Sequence, residues 1–185
     1  TRQAPTVTKT VGTSGADYAT LKLAFDDINN GTLTGSVQLD VIDNTTETDP
    51  AVLNASGSGS ASYTAVLIQP SGGAARTISG AIAAGSPLID LNGADNVTID
   101  GSTSGGTDQS LTITNLNTTG VVIWIRSASA ANGATNNTVK NSLINGSSGT
   151  TTIGGILSTG PTLGGDAGAA HANNTHQDNL LPKVQ

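Results

Sequence analysis

The chain has no cysteine and no methionine, and its aromatic residues are one Trp, two Tyr and one Phe in 185 residues. Without cysteine there is no disulfide framework and no thiolate metal site. Lys and Arg number seven, scattered at positions 2, 9, 22, 76, 126, 140 and 183, against thirteen Asp and Glu, for a net charge of −6. No basic stripe exists to neutralise phosphates, which argues against nucleic acid as a partner. No apolar run approaches the roughly 18 residues that span a bilayer. The opening TRQAPTVTK also lacks the apolar core of a signal peptide. So few large side chains leave stacked small and β-branched residues to build the interior.

What the chain has in quantity is Gly, 24 residues of it, with Thr, Ser, Asn and Ala. The length suits one domain. This composition, with no cysteine and little charge, predicts a mature secreted or cell-surface product, its signal peptide removed, over a cytosolic one.

The organising stretch runs from Pro87 to Asn145. Short apolar runs, LIDL (88–91), VTI (97–99), LTIT (111–114), VVIWI (121–125) and a pair around Val139 and Leu143, are joined by turns rich in Gly, Asn, Asp and Ser. Asn136-Asn137-Thr138 opens NNTVKNSLI, and the same frame returns at Asn173-Asn174-Thr175 in NNTHQDNLL; a weaker copy, DNVTIDG, lies about forty residues earlier. Near-constant spacing marks a solenoid, in which each turn stacks on the one before. Stacked asparagines can hydrogen-bond vertically while adopting the left-handed conformation other residues resist. Asn137 with Asn174, and Asn141 with Asp178, are the expected structural ladder. Matching the inward apolar phase sets Ile99 beside Val139 and Gly101 beside Asn141, in preference to a match of Asp100 with Asn141, because phase decides what is buried.

In chain order, residues 1–16 read as an extended lead-in with a strand near Thr6 to Val11. Tyr18, Leu21, Phe25 and Ile28 recur at helical spacing, with Asp17 placed to cap the first turn and Gly31 to end the last. A helix lying over the first coil would cover an open edge and an apolar interior. VQLDVID (37–43) alternates as a half-buried strand, TTETDPAVLNASGSGSASY is expected to loop out, and AVLIQ (65–69) and RTISG (76–80) follow as strands.

This order of features, YATLKLAFDDIN, VQLDVID, VLIQPSGGAARTISG, LIDLNGADNVTIDG and NNTVKNSLI, resembles the pectin-lyase-like superfamily from Asp17 to about Leu181. The resemblance implies an all-β fold, a right-handed parallel β-helix with an N-terminal capping helix over 17–31 and coils over 36–181. It implies no one activity, because that superfamily holds pectate and pectin lyases, polygalacturonases, phage tailspikes, adhesins and large bacterial surface proteins.

Asp90, Asp95, Asp100 and Asp108 fall within one coil, and grouped carboxylates can bind Ca²⁺ or act as acid and base on a glycan. By the resemblance, lyases pair acidic Ca²⁺ ligands with a catalytic Arg or Lys, and hydrolases use close Asp residues; neither Arg126 nor Lys140 matches a lyase motif. The plainer reading is turn chemistry, which favours Asp through local hydrogen bonds. In VVIWIR, alternation points Val121, Ile123 and Ile125 inward and Trp124 and Arg126 outward. Trp124 either stacks on a sugar or partner, or packs under the loop 127–135. His171 and His176 lack further metal ligands except carboxylates such as Asp166 or Asp178, and His176 stands where the repeat has Val139. Thr in LTIT invites comparison with ice-binding Thr rows. Sequons begin at Asn44, Asn117 and Asn145.

NNTHQDNLLPKVQ stops within a coil without a cap. The expectation is that further coils of the polypeptide, or another copy of the chain, cover that end. The preferred function is a non-catalytic extracellular or cell-surface structural module, adhesive or carbohydrate-binding, associating with itself end to end. The alternative is the N-terminal part of a polysaccharide lyase or glycoside hydrolase acting on acidic glycans.

Overall fold

The computed structural model describes residues 6–103, 105–148, 151–166 and 168–182. Strand β1 (Val7–Val11) precedes the helix α1 (Leu21–Asn29). Strands then come in threes, one set to a turn of the solenoid: β2 (Gly35–Val41), β3 (Thr45–Glu47) and β4 (Ala51–Asn54); β5 (Tyr63–Pro70), β6 (Arg76–Gly80) and β7 (Pro87–Asn92). The next sets are β8 (Val97–Asp100), β9 (Leu111–Asn115) and β10 (Val121–Arg126), then β11 (Thr138–Lys140), β12 (Ser142–Gly146) and β13 (Gly154–Thr159), before β14 (Thr175–Gln177). Sheet A has the order β1-β2-β5-β8-β11-β14, sheet B runs β3-β6-β9-β12, and sheet C runs β4-β7-β10-β13. The strand pairs are parallel throughout. The chain is a parallel β-solenoid of about five turns.

Register explains why the sequence winds this way. Leu39, Ile68, Ile99 and Val139 stand one above another in sheet A. Ala51, Ile89, Ile123 and Ile156 do so in sheet C, and Ile78, Ile113 and Ile144 in sheet B. Burying each Val, Leu or Ile of these columns contributes about 1.5–3 kcal/mol, and β-branched residues stack without losing much rotamer freedom in a strand. The phase match holds: Val139 pairs with Ile99, which puts Gly101 beside Asn141. A Cβ on Gly101 would lie 1.9 Å from the Asn141 carbonyl oxygen, so the coils meet there only because the residue is glycine.

Three expectations are corrected. TTETDPAVLN does not loop out, because β3 and β4 form within it. Thr45, Glu47, Ala51 and Leu53 alternate inward and find partners on β6 and β7, support that a three- or four-residue run cannot supply for itself. In β10, Val122 belongs to the continuous apolar core, whereas Val121 is buried outside it.

The third correction is at the helix. Asp17 does not cap it. Its carboxylate accepts the Thr10 N–H (2.9 Å) and Thr10 hydroxyl (2.9 Å) and pairs with Lys9 (3.0 Å). Tyr18 bridges to Val11 rather than entering the helix. With residues 17 and 18 pinned to β1, the helix starts at Leu21 with Thr20 as its N-cap. It ends as expected with Gly31 in the left-handed region, φ +75°. Leu21, Ala24, Phe25 and Ile28 are fully buried, and the helix packs on β3 and β4, where sheets B and C begin.

Candidate functional site

On the outer face of sheet C, Trp124 is paired in register between Asp90 and Leu157, and Arg126 between Asn92 and Thr159. Alternation brings Asp90, Trp124 and Arg126 together, as the sequence suggests. Their chemistry differs from that of an open binding face. Trp124 is only 7% exposed. Its indole N–H donates to the Thr159 hydroxyl at 2.7 Å, and the Arg126 guanidinium lies 5.5 Å from its ring centroid. The tryptophan is on the outer face, as expected, but Arg126 lies over its ring and Thr159 takes its N–H, which favours the packed alternative over an open stacking surface. Arg126 also grips Asp90 through Nε (2.8 and 3.0 Å) and a terminal nitrogen (3.0 Å). Burial pushes the Asp90 carboxyl up, against the pull of the guanidinium.

The other carboxylates are separately engaged. Asp95 accepts the N–H and hydroxyl of Thr135 at 2.6 and 2.7 Å. Asp100, 7% exposed, pairs with Lys140 at 3.0 Å and accepts from the Asn141 amide at 2.8 Å and the Ser102 N–H at 3.1 Å. Asp108 holds its own turn through Thr103 N–H (3.0 Å) and Ser110 hydroxyl (2.7 Å). Asp90, Asp95 and Asp100 each tie one coil to the next. Among the described residues no three of His, Asp and Glu converge as metal ligands.

The asparagine ladder is present, with its two roles divided between neighbours. Asn96, Asn136 and Asn173 take the left-handed conformation (φ 58°, 57° and 58°), as do Asn141 and Asp178 (φ 52° each). Asn137 and Asn174 do the bonding. The Asn137 amide donates to Ala94 O (2.8 Å) while its oxygen accepts Val97 N–H (3.0 Å). Asn174 repeats this one coil on with Ala134 O (2.8 Å) and Asn137 N–H (3.0 Å). Each amide thus brackets a chain reversal in the preceding coil and satisfies two backbone groups that no strand can reach. Asn141 does not bond to its counterpart Asp178; its amide reaches Asp100 and the Gly106 carbonyl (3.1 Å).

Several residues escaped the sequence reading. Asn179 brackets Val139 O (2.7 Å) and Ser142 N–H (3.0 Å), and Asn29 brackets Val52 O (2.8 Å) and Asn54 N–H (2.9 Å). Asn179 could not have been found from the repeat, because NSLIN against DNLLP sets it opposite Ser142. Nor could Asn29, because it sits on a helix. Glu47, 2% exposed, accepts the Leu21 and Lys22 N–H groups at 2.9 and 3.0 Å and so holds the helix N-terminus. His171 lies between the Ser127 and Ser158 hydroxyls (2.8 and 2.9 Å), and burial lowers its pKa. His176 pairs in register with Val139, as the repeat implies. The Thr row of β9 does not continue, because Thr112 and Thr114 meet Leu143 and Asn145 in β12. Of the sequon asparagines, Asn44 accepts Thr77 N–H and Asn145 has a buried side-chain oxygen.

A concavity opens on a lateral face among the described residues. It measures about 380 Å³ on the outer side of sheet A, and Asp100 is the one carboxylate in its lining, beside Lys140. Compared with protein-family models, curated proteins and solved structures, the chain has no match. The class stated in plain terms is therefore the parallel β-solenoid.

Proposed function

We propose that the chain is a non-catalytic structural β-solenoid module of pectin-lyase-like architecture, working outside the cell or at its surface. Its lateral faces would serve adhesion or carbohydrate binding. The edge of β14 that no described strand pairs with would take a second copy of the chain. The observation that carries this reading is what the reactive-looking side chains do. Asp90 with Arg126, Asp95 with Thr135, and Asp100 with Lys140 and Asn141 each close a tie between stacked coils. A general acid or nucleophile must reach its substrate, whereas a carboxylate forked by arginine and buried against tryptophan is held for stability. Stacking is supported by β14, which pairs with β11 alone among the described strands, and by Leu180 and Leu181, which are 53% and 41% exposed. The extracellular setting is supported by composition.

The test is the purified chain incubated with polygalacturonate and neutral polysaccharides, with and without Ca²⁺, followed by product assay, light scattering and electron microscopy. The expected result is no cleavage, no Ca²⁺-dependent rise in Tm, and end-to-end association. Unsaturated or reducing-end products that disappear in Asp90→Asn and Arg126→Ala would instead establish the rival lyase or hydrolase.

A further inference from the structure

We propose that the concavity on sheet A is a binding groove for a neutral, linear glycan lying along the solenoid axis, on a different sheet from Trp124 and Arg126. The proposal rests on the carbohydrate-binding part of the function above and assigns it a place and a ligand class. The groove's volume, about 380 Å³, is within the range of ligand pockets. Its lining runs from Thr6, before β1, to Lys140 in β11. Five strands at the usual spacing extend over about 19 Å, so a ligand that follows them is extended.

Chemistry selects the occupant. The charged groups in the lining, Asp100 and Lys140, neutralise each other at 3.0 Å, which leaves no unpaired cation for an acidic sugar. Leu67 supplies an apolar patch flanked in register by Gln38 and Thr98. Asn96 sets the groove apart from the rest of the ladder. Asn136 and Asn173, its equivalents in later coils, link to each other at 3.1 Å. The Asn96 amide and the Thr98 hydroxyl have no side-chain hydrogen bond to protein among the described residues, whereas Asn29, Asn137, Asn174 and Asn179 use their amides as ties. Free amide and hydroxyl groups around an apolar patch suit a chain carrying hydroxyls along its whole length. An extended peptide fits less well, because a sheet face offers it no backbone N–H or C=O.

The test is a printed array of neutral xylo-, cello-, manno- and galacto-oligosaccharides beside oligogalacturonates, probed with the full chain, followed by titration of the retained sugars. Neutral oligosaccharides should be retained. Ala65→Leu, which fills the groove, and Thr98→Val, which removes one hydroxyl at constant volume, should each weaken binding about tenfold while circular dichroism and Tm stay unchanged. Fluorescence of the sole tryptophan, on sheet C, should not respond. Retention of acidic sugars alone, full binding by both variants, no retention at all, or a saturable Trp124 response would each overturn the groove. Cleavage of a bound neutral sugar would overturn the non-catalytic reading and leave the groove standing.

Discussion

A single carboxylate, Glu47, holds the helix against the first coils. It is 2% exposed and meets two of the free N–H groups of the first helical turn. Hydrogen bonds to a charged group are worth about 1.5–3 kcal/mol, so Glu47→Ala should lower stability by roughly 3 kcal/mol in denaturant titration, and Glu47→Gln by less. Equal losses in the two variants would show that the charge is irrelevant. The asparagines permit a sharper comparison. Asn137 is fully buried and brackets two backbone groups, so Asn137→Ala should cost about 2–3 kcal/mol. Asn136, at φ 57°, contributes its conformation and an exposed link from the Asn173 amide (3.1 Å), and Asn136→Gly, which keeps the conformation, should cost less than about 1 kcal/mol. The sequence marks both residues through the repeated Asn-Asn-Thr but cannot assign the roles, because bonding and conformation belong to adjacent positions of one motif. Glu47 was illegible for a different reason: its partners lie 25 and 26 residues upstream.

Helices and strands that signal themselves by period were readable, and those that depend on neighbours were not. The helix shows in Leu21, Phe25 and Ile28, and β2, β5, β7 and β10 in their apolar runs. By contrast β3 and β4 hide in a Thr-, Asp- and Pro-containing stretch and acquire strand geometry only against β6 and β7. The helix start was misplaced because Asp17 has a stronger competing use at the edge of β1. There it receives the Thr10 N–H, and Tyr18 N–H donates to Thr10 O at 3.0 Å, which closes the N-terminal edge of sheet A at that residue. The Thr10 backbone bond, with the Lys9 and Thr10 side chains, holds the Asp17 carboxyl at about 2, against an ordinary 3.8. A lowered acid pKa contributes stability that is present above the ordinary value and lost as pH falls toward the folded one. The Tm difference between the native chain and Asp17→Asn should therefore be constant above pH 5 and vanish between pH 4 and 2. Since Asp17 is exposed, salt should shrink that difference. A difference that persists at pH 2 would rule out the carboxylate as its source.

Along the axis the first and last described coils are unlike. The helix covers β3 and β4, and Tyr18 meets the edge of β1. In the last described coil two inward columns pass to polar side chains, His176 after Val139 and Ser158 after Ile125, while Ile123 is followed by Ile156. In a solenoid each coil is stabilised chiefly by its neighbours, so opening should begin at the poorly buried end and spread. The repeat made this architecture legible from sequence. What its faces bind was not, because the outward residues of a strand obey no packing rule. The His171 contacts to Ser127 and Ser158 give the last described coil a pH dependence. Burial holds the His171 pKa below the ordinary 6.5, so the unfolded chain takes up the proton first, and stability of that region falls as pH drops below about 6.5. Burial lowers the His176 pKa as well, so hydrogen exchange, corrected for intrinsic rates, should quicken at Thr175–Gln177 between pH 7.5 and 5.5 while Val66–Ile68 and Val97–Ile99 stay protected; His171→Asn should reduce the change and His171→Asn with His176→Asn should abolish it. In the middle of the axis, Gly101→Ala forces a side chain against the Asn141 carbonyl and should cost about 1–3 kcal/mol. It should also split the unfolding transition in two, because coils on either side would lose their coupling. A single transition merely shifted in temperature would mean that cooperativity does not pass coil by coil through that contact.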